Sequence, residues 1–167
     1  IPVLSCLFLG GKCRTCKKAI PKHFIFVEIG AALIFVLVAW KNLNSPDVIP
    51  ALFFRDIVFS VLLIIIFSYD FLYQEIISWL IWFGAIAGAV FNFYLGYDFF
   101  SMLTGAAIGG GFFLLQYIVS KGRWIGGGDV RMGMMMGVWL GWPSILVALM
   151  LAYILGATAG LAMIALK

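Results

Sequence analysis

Residues 122–133 read GRWIGGGDVRMG. They follow one strongly apolar stretch, Phe99 to Ser120, and lead into another, Val130 to Leu140. Whether this segment is a loop at a membrane surface decides how often the chain crosses. An ionisable residue such as Asp129 is expensive in apolar surroundings, so it needs a reason and a partner.

Composition supplies the setting. The 167 residues are 65% hydrophobic and 11% charged, with a mean hydropathy of +1.14. Soluble domains are about half apolar and about one quarter charged. The composition therefore predicts an all-α polytopic membrane protein. The 17% aromatic content suits interfacial belts. The net charge of +4 reads as topology, because the basic residues cluster at a few membrane flanks. No nucleic-acid partner is expected.

The apolar runs are Phe24 to Trp40, Pro50 to Tyr69, Ile76 to Leu95, Phe99 to Ser120, Val130 to Leu140 and Pro143 to Leu166. They predict six transmembrane helices, the fifth short or partly re-entrant, with Trp142 and Pro143 breaking the chain after it. Residues 1–23 form a small basic segment ahead of a transmembrane domain at 24–167. The chain opens on Ile1, and its first residues make no signal peptide. The expectation is an N-terminally truncated form of a longer protein.

Six crossings also sort the charges. Lys12, Arg14, Lys17, Lys18, Lys22, Lys121, Arg123, Arg131 and Lys167 then share one side, and only Lys41 and Arg55 face the other. The positive-inside rule places the larger group in the cytosol. Small residues recur four apart at Gly84 and Gly88, Gly105 and Gly109, Gly133, Gly137 and Gly141, and Gly156 and Gly160. Such faces let helices approach closely. The run Met134 to Met136 reads as adaptable packing surface.

The same topology sorts the acids. Asp70 ends the second helix, Glu75 follows it, Asp129 opens the fifth helix and Glu28 lies one turn into the first, all toward the cytosol. Asp47, Asp56 and Asp98 fall on the far side. Asp70 and Asp129 are thus expected at one depth. Two carboxylates in a low-dielectric site do not ionise together easily, so one holds a proton while the other is a base. Such a pair can activate water and protonate a leaving amine. Gly126, Gly127 and Gly128 would give the loop unusual backbone freedom and clear room for a substrate backbone. The plainer reading is an interfacial turn with two helix-end acids, since an Asp at a helix start is favoured anyway.

At this point the chain resembles a known family. IPVLSCLFLGGKCRTCKKAI (1–20), followed by FVEIGAALIF (26–35), is similar to the cytosolic segment and next helix of bacterial type IV prepilin peptidases. YDFLYQEIISW (69–79) resembles the stretch bearing that family's first catalytic aspartate. GGGD (126–129) matches the GxGD motif bearing the second. The resemblance implies an aspartic endopeptidase of the bacterial inner membrane, multi-pass and surrounded by lipid, with its active site facing the cytosol. It implies a hydrolase that removes the leader of type IV prepilins and of type II secretion pseudopilins, cutting after a glycine. It also implies N-methylation of the new N-terminus with S-adenosylmethionine; the peptidase step itself needs no cofactor. Carried over by position, Asp70 and Asp129 are the catalytic pair, and Gly126, Gly127 and Gly128 shape the loop.

The chain departs from the family pattern in places. Leu72 and Ser78 stand where many members have further aspartates, Ile77 replaces a proline, Arg131 a lysine and Cys6 a tryptophan. Cys13 and Cys16 form a CxxC, half of a tetrahedral zinc site, and the resemblance supplies a second CxxC upstream. Read from the residues alone they are a pair of thiols suited to a reducing compartment. His23 reads as part of the interfacial basic patch. Two other readings stand beside the peptidase. Presenilin-like aspartic proteases share YD and GxGD, but they carry Pro-Ala-Leu in a late helix, whereas here that tripeptide stands only at 50–52, ahead of both acids. An ion-coupled transporter could use Asp70 and Asp129 as a proton relay, although no internal repeat supports it.

Overall fold

The computed structural model describes residues 9–12, 15, 17–19, 21–44 and 49–166. Among these residues there are six helices and no strand: α1 (Lys22–Leu43), α2 (Pro50–Tyr73), α3 (Ser78–Tyr94), α4 (Phe99–Ser120), α5 (Gly127–Leu140) and α6 (Ser144–Ala165). An isolated antiparallel bridge pairs Lys12 with Ala19. Four helices are long and apolar enough to cross a membrane: His23–Leu43, Pro50–Tyr73, Phe99–Ser120 and Ser144–Ala165. The protein is a multi-pass membrane protein. At 1.5 Å per residue, the 14 residues of α5 reach about 21 Å, short of a hydrocarbon core of about 30 Å. The expectation of a short fifth helix holds.

Contacts gather the chain into two compact units, Ile1–Tyr73 and Gln74–Lys167. In the first, α1 packs on α2. Lys41 Nζ meets Asp56 Oδ2 at 2.8 Å, joining the end of α1 to the start of α2. Asn42 Nδ2 donates to the same carboxylate oxygen at 3.4 Å and to the Val38 carbonyl at 2.9 Å. The acid near the start of α2 therefore has its counter-charge from the neighbouring helix, as an acid in apolar surroundings requires. Toward the other end, His23, Phe26, Gly30 and Ile34 of α1 and Leu63 and Phe67 of α2 line an apolar groove of about 400 Å³.

In the second unit α5 is the hub, packed on α3, α4 and α6. Its contact with α4 is a crossing of glycines. A β-carbon on Gly105 or Gly109 would press on the carbonyl oxygen of Gly137 or Gly133, and the reverse substitutions would clash equally. Only side-chain-free positions allow backbones this close. Against α3 the device differs. Trp139 is fully buried, and a β-carbon on Gly88 would sit 2.6 Å from its indole nitrogen. That nitrogen donates to the Gly84 carbonyl at 2.7 Å. Asn92, one turn further along α3, donates to the carbonyls of Val138 at 2.7 Å and Trp139 at 3.2 Å. The four-residue spacing of Gly84, Gly88 and Asn92 thus builds a slot for one indole.

Two details differ from the sequence reading. Gly156 and Gly160 have nothing within 4 Å of a would-be β-carbon, so this small-residue pair on α6 packs against no described neighbour. The three methionines also part company, as successive helical residues must. Met135 is fully buried, Met134 fills the space beside Gly110, and Met136 lines a cavity.

Candidate active site

Asp129 is the third residue of α5, with Gly126 as the N-cap. Its Oδ2 accepts the Gly126 N–H at 2.8 Å, and its own N–H donates to the Gly126 carbonyl at 3.2 Å. This is the carboxylate half of a capping box; glycine has no side chain to supply the other half. The positive end of the helix dipole favours the charge there. The carboxylate is half-buried and borders a cavity of about 120 Å³ between α4, α5 and α6.

The glycines act differently from the expectation. Gly126 is extended, at φ −84°, and Gly127 and Gly128 are already helical. The left-handed conformation in this loop falls earlier, at Lys121 with φ +52° and Gly122 with φ +73°, where the Gly122 N–H donates to the Tyr117 carbonyl at 2.9 Å and closes α4. The steric demand in the triplet is at Gly128, where a β-carbon would lie 2.9 Å from the Ile76 side chain. Gly127 has open space, and Gly126 meets only its own cap at 3.6 Å. One glycine admits a neighbour and two leave the helix start uncovered.

A second contact ties the same turn to the start of α3. Arg131 Nη1 donates to Ser78 Oγ. By charge alone Arg131 is a topology anchor, and by resemblance Ser78 is a departure from the family pattern; the hydrogen bond makes them partners. Ile76 and Ser78 together hold the first turn of α5 from one side. The spacing of Asp70 and Ser78 was visible in the sequence, but nothing there paired Ser78 with Arg131.

Asp70 lies in the last turn of α2, exposed, in the first unit, while Asp129 belongs to the second. The rings of Tyr69 and Tyr73 flank it in sequence, with centroids 4.6 Å apart. The helix runs through Asp70 to Tyr73 instead of stopping at Tyr69. Glu75 is exposed beyond it, and Glu28 is half-buried on α1. His23 is half-buried at the first turn of α1, its ring 4.3 Å from that of Phe24. Cys13 and Cys16 lie outside the described residues. Among the described residues no three His, Cys, Asp or Glu side chains gather as a metal site.

These elements define a multi-pass helical membrane protein with one acid at a helix end and another at a glycine-rich helix start. The chain belongs to the type IV leader peptidase family, whose model matches residues 57–161; the bacterial peptidase A24 N-terminal domain matches residues 1–42. Similar proteins carry the name prepilin leader peptidase/N-methyltransferase. That of Pseudomonas aeruginosa is 30% identical over all of this chain and 58% of its own length. That of Aeromonas salmonicida is 30% identical over all of this chain and 57% of its own. That of Myxococcus xanthus is 29% identical over 98% of this chain and 49% of its own. The chain thus spans between about half and three fifths of these relatives. No solved structure matches it significantly.

Proposed function

We propose that this chain carries the aspartic endopeptidase centre of a prepilin leader peptidase, acting on type IV prepilins and pseudopilins at the cytosolic face of the inner membrane. The observation that carries this is the family match over 57–161, which contains both Asp70 and Asp129. The names of the relatives above support the substrate class. None of them is named a transporter, and that reading is dropped.

In this mechanism one aspartate is ionised and the other protonated. The ionised carboxylate takes a proton from water as the oxygen attacks the scissile carbonyl, and the protonated one delivers its proton to the leaving nitrogen. The Gly126 N–H occupies one oxygen of Asp129, which orients the carboxylate and leaves the other oxygen for water. Orphan N–H groups at the start of α5, beside uncovered Gly127, suit the backbone of an extended peptide.

N-methylation with S-adenosylmethionine is proposed for the intact protein on the relatives' names alone. Adenosylmethionine carries a sulfonium, a carboxylate and hydroxyls, whereas the cavities described above are lined almost wholly by apolar residues. They do not fit it, and no residue is assigned to methyl transfer. Zinc at Cys13 and Cys16 is likewise a proposal; two thiolates are half a tetrahedral site, and no step depends on the metal.

The test is cleavage of a prepilin in vesicles bearing the intact protein, with Asp70→Asn and Asp129→Asn as variants. Each should lose cleavage. Substantial residual cleavage by either one removes that residue from the mechanism.

A further inference from the structure

We propose that the bilayer is thinned along α3, so that its surface dips to the level of Asp129. The partner of this face is lipid with short acyl chains. The dip brings water to the carboxylate, and this consequence rests on reading Asp129 as catalytic; the shape of the bilayer does not.

The length of α3 carries the first half. The helix has 17 residues and presents large exposed apolar side chains at helical spacing: Trp79, Phe83, Ile86, Val90 and Phe93, closed by Tyr94. Trp and Tyr settle at the membrane–water interfaces. From Trp79 to Tyr94 is about 22 Å along the axis, and any tilt shortens its projection on the membrane normal. A hydrocarbon core of about 30 Å is too thick for this face. Glu75 and Asp98, both exposed, stand just beyond its two ends and resist sliding into lipid. Residues 74–98 hold no lysine or arginine, so no long basic side chain is there to snorkel out. The remaining local answer to a short apolar stretch is a thinner bilayer.

The packing of α5 places the dip at the Asp129 end. Gly109 of α4 and Gly133 of α5 cross backbone against backbone, which marks one level on both helices. Asp129 lies about 6 Å from that level along α5, whereas exposed apolar residues of α4 continue to Val119, about 15 Å from it in the same direction. In a flat bilayer fitted to α4 the carboxylate would lie about 9 Å inside the apolar band, where charge is expensive. On the other flank the level differs. Ile76 packs on Gly128 and Ser78 meets Arg131, so Trp79 is level with the first turn of α5. The interface therefore stands at Asp129 beside α3 and well beyond it beside α4. A leaflet that slopes between the two heights satisfies both.

The test uses the intact protein in phosphatidylcholine vesicles. Nitroxide labels are placed at Trp79→Cys and, separately, at Leu115→Cys. The signal of the identically treated parent, which carries cysteines of its own, is subtracted. Both positions are exposed, at 70% and 66%. By the same count Leu115 lies about 3 Å further toward the membrane surface than Asp129. A flat bilayer would thus place the label at 115 as shallow as the one at 79, or shallower. The thinned leaflet reverses the order: the label at 79 should respond to a water-soluble nickel complex and the one at 115 to oxygen. Equal depths, or a deeper label at 79, overturn the dip.

Cleavage gives a second readout that needs no label, should a cysteine variant fail to fold. In lipids with monounsaturated chains of about 14 to 22 carbons, kcat/KM should peak at the short end and fall by about tenfold or more at the long end. Trp79→Leu removes the interfacial anchor and should move the optimum to longer chains. A flat profile, or an optimum at the long end, overturns the dip. Absent cleavage in every lipid, with the nitroxide order reversed as expected, supports the dip and removes the peptidase reading alone.

Discussion

Asp129 Oδ2 accepts the backbone N–H of Gly126 at 2.8 Å, so the carboxylate proposed for chemistry also caps the helix that carries it. The two roles use different atoms and separate by substitution. Asparagine keeps an oxygen that accepts the Gly126 N–H but cannot serve as a base. Asp129→Asn should melt close to the parent protein and lose cleavage by about a hundredfold or more. Asp129→Ala should lose cleavage and, in addition, about 1 kcal/mol of stability with the cap. Thermal melting in detergent and initial cleavage rates read both; equal melting of the two variants would deny the capping role.

The glycine crossing of α4 and α5 makes a sharper contrast. A methyl group on Gly137 would press on the backbone of Gly105. Backbone cannot swing aside as a side chain can, so Gly137→Ala should cost about 1–3 kcal/mol. Gly156→Ala enters open space in the middle of α6 and should gain about 0.5–1 kcal/mol from helix propensity. Melting or denaturant titration in micelles compares them, and similar effects of both substitutions would refute the crossing.

Trp139 is held by shape and by one hydrogen bond, and these can be told apart. Trp139→Phe keeps most of the ring and gives up the bond to the Gly84 carbonyl. An interhelical bond in a membrane protein is worth about 0.6–2 kcal/mol, so the loss should fall in that range. Trp139→Ala also empties the slot beside Gly88 and should cost about 3–5 kcal/mol. Equal losses in the two variants would mean that the indole packs loosely.

Arg131 and Ser78 should act as one unit on Asp129. Breaking their hydrogen bond frees the turn that carries the carboxylate, and small displacements of a catalytic group cost up to about a hundredfold. Arg131→Met and Ser78→Ala should each lower kcat by about ten- to a hundredfold with less effect on KM. The double variant should be no worse than the poorer single one. Ser78→Asp offers the guanidinium a carboxylate and should restore or exceed parental kcat. Multiplying losses in the double variant would show independent roles.

Much of this was legible in the residues. The six apolar runs predicted six helices because a spanning segment must satisfy its own backbone and present apolar side chains to lipid; both demands are local. The short α5 was visible as a short run between GGGD and Trp142-Pro143. The candidate acids were visible because charge is rare in such a chain and stands out wherever it occurs.

The roles of the glycines and of Arg131 were not legible. A glycine has no side chain to show whether it serves φ, a close approach or nothing. Gly122 needs its positive φ, Gly128 makes room for Ile76, Gly137 admits a backbone, and Gly156 meets nobody. By itself the sequence determined the class of protein, the number of its helices, the shortness of the fifth, and the acids worth testing, since each follows from local hydrophobicity and rare charge. Only the tertiary structure decided that α5 is the hub of its unit, that Arg131 reaches Ser78, and that Asp129 borders an apolar cavity. Those are contacts between residues distant in the chain, and packing, not local preference, selects them.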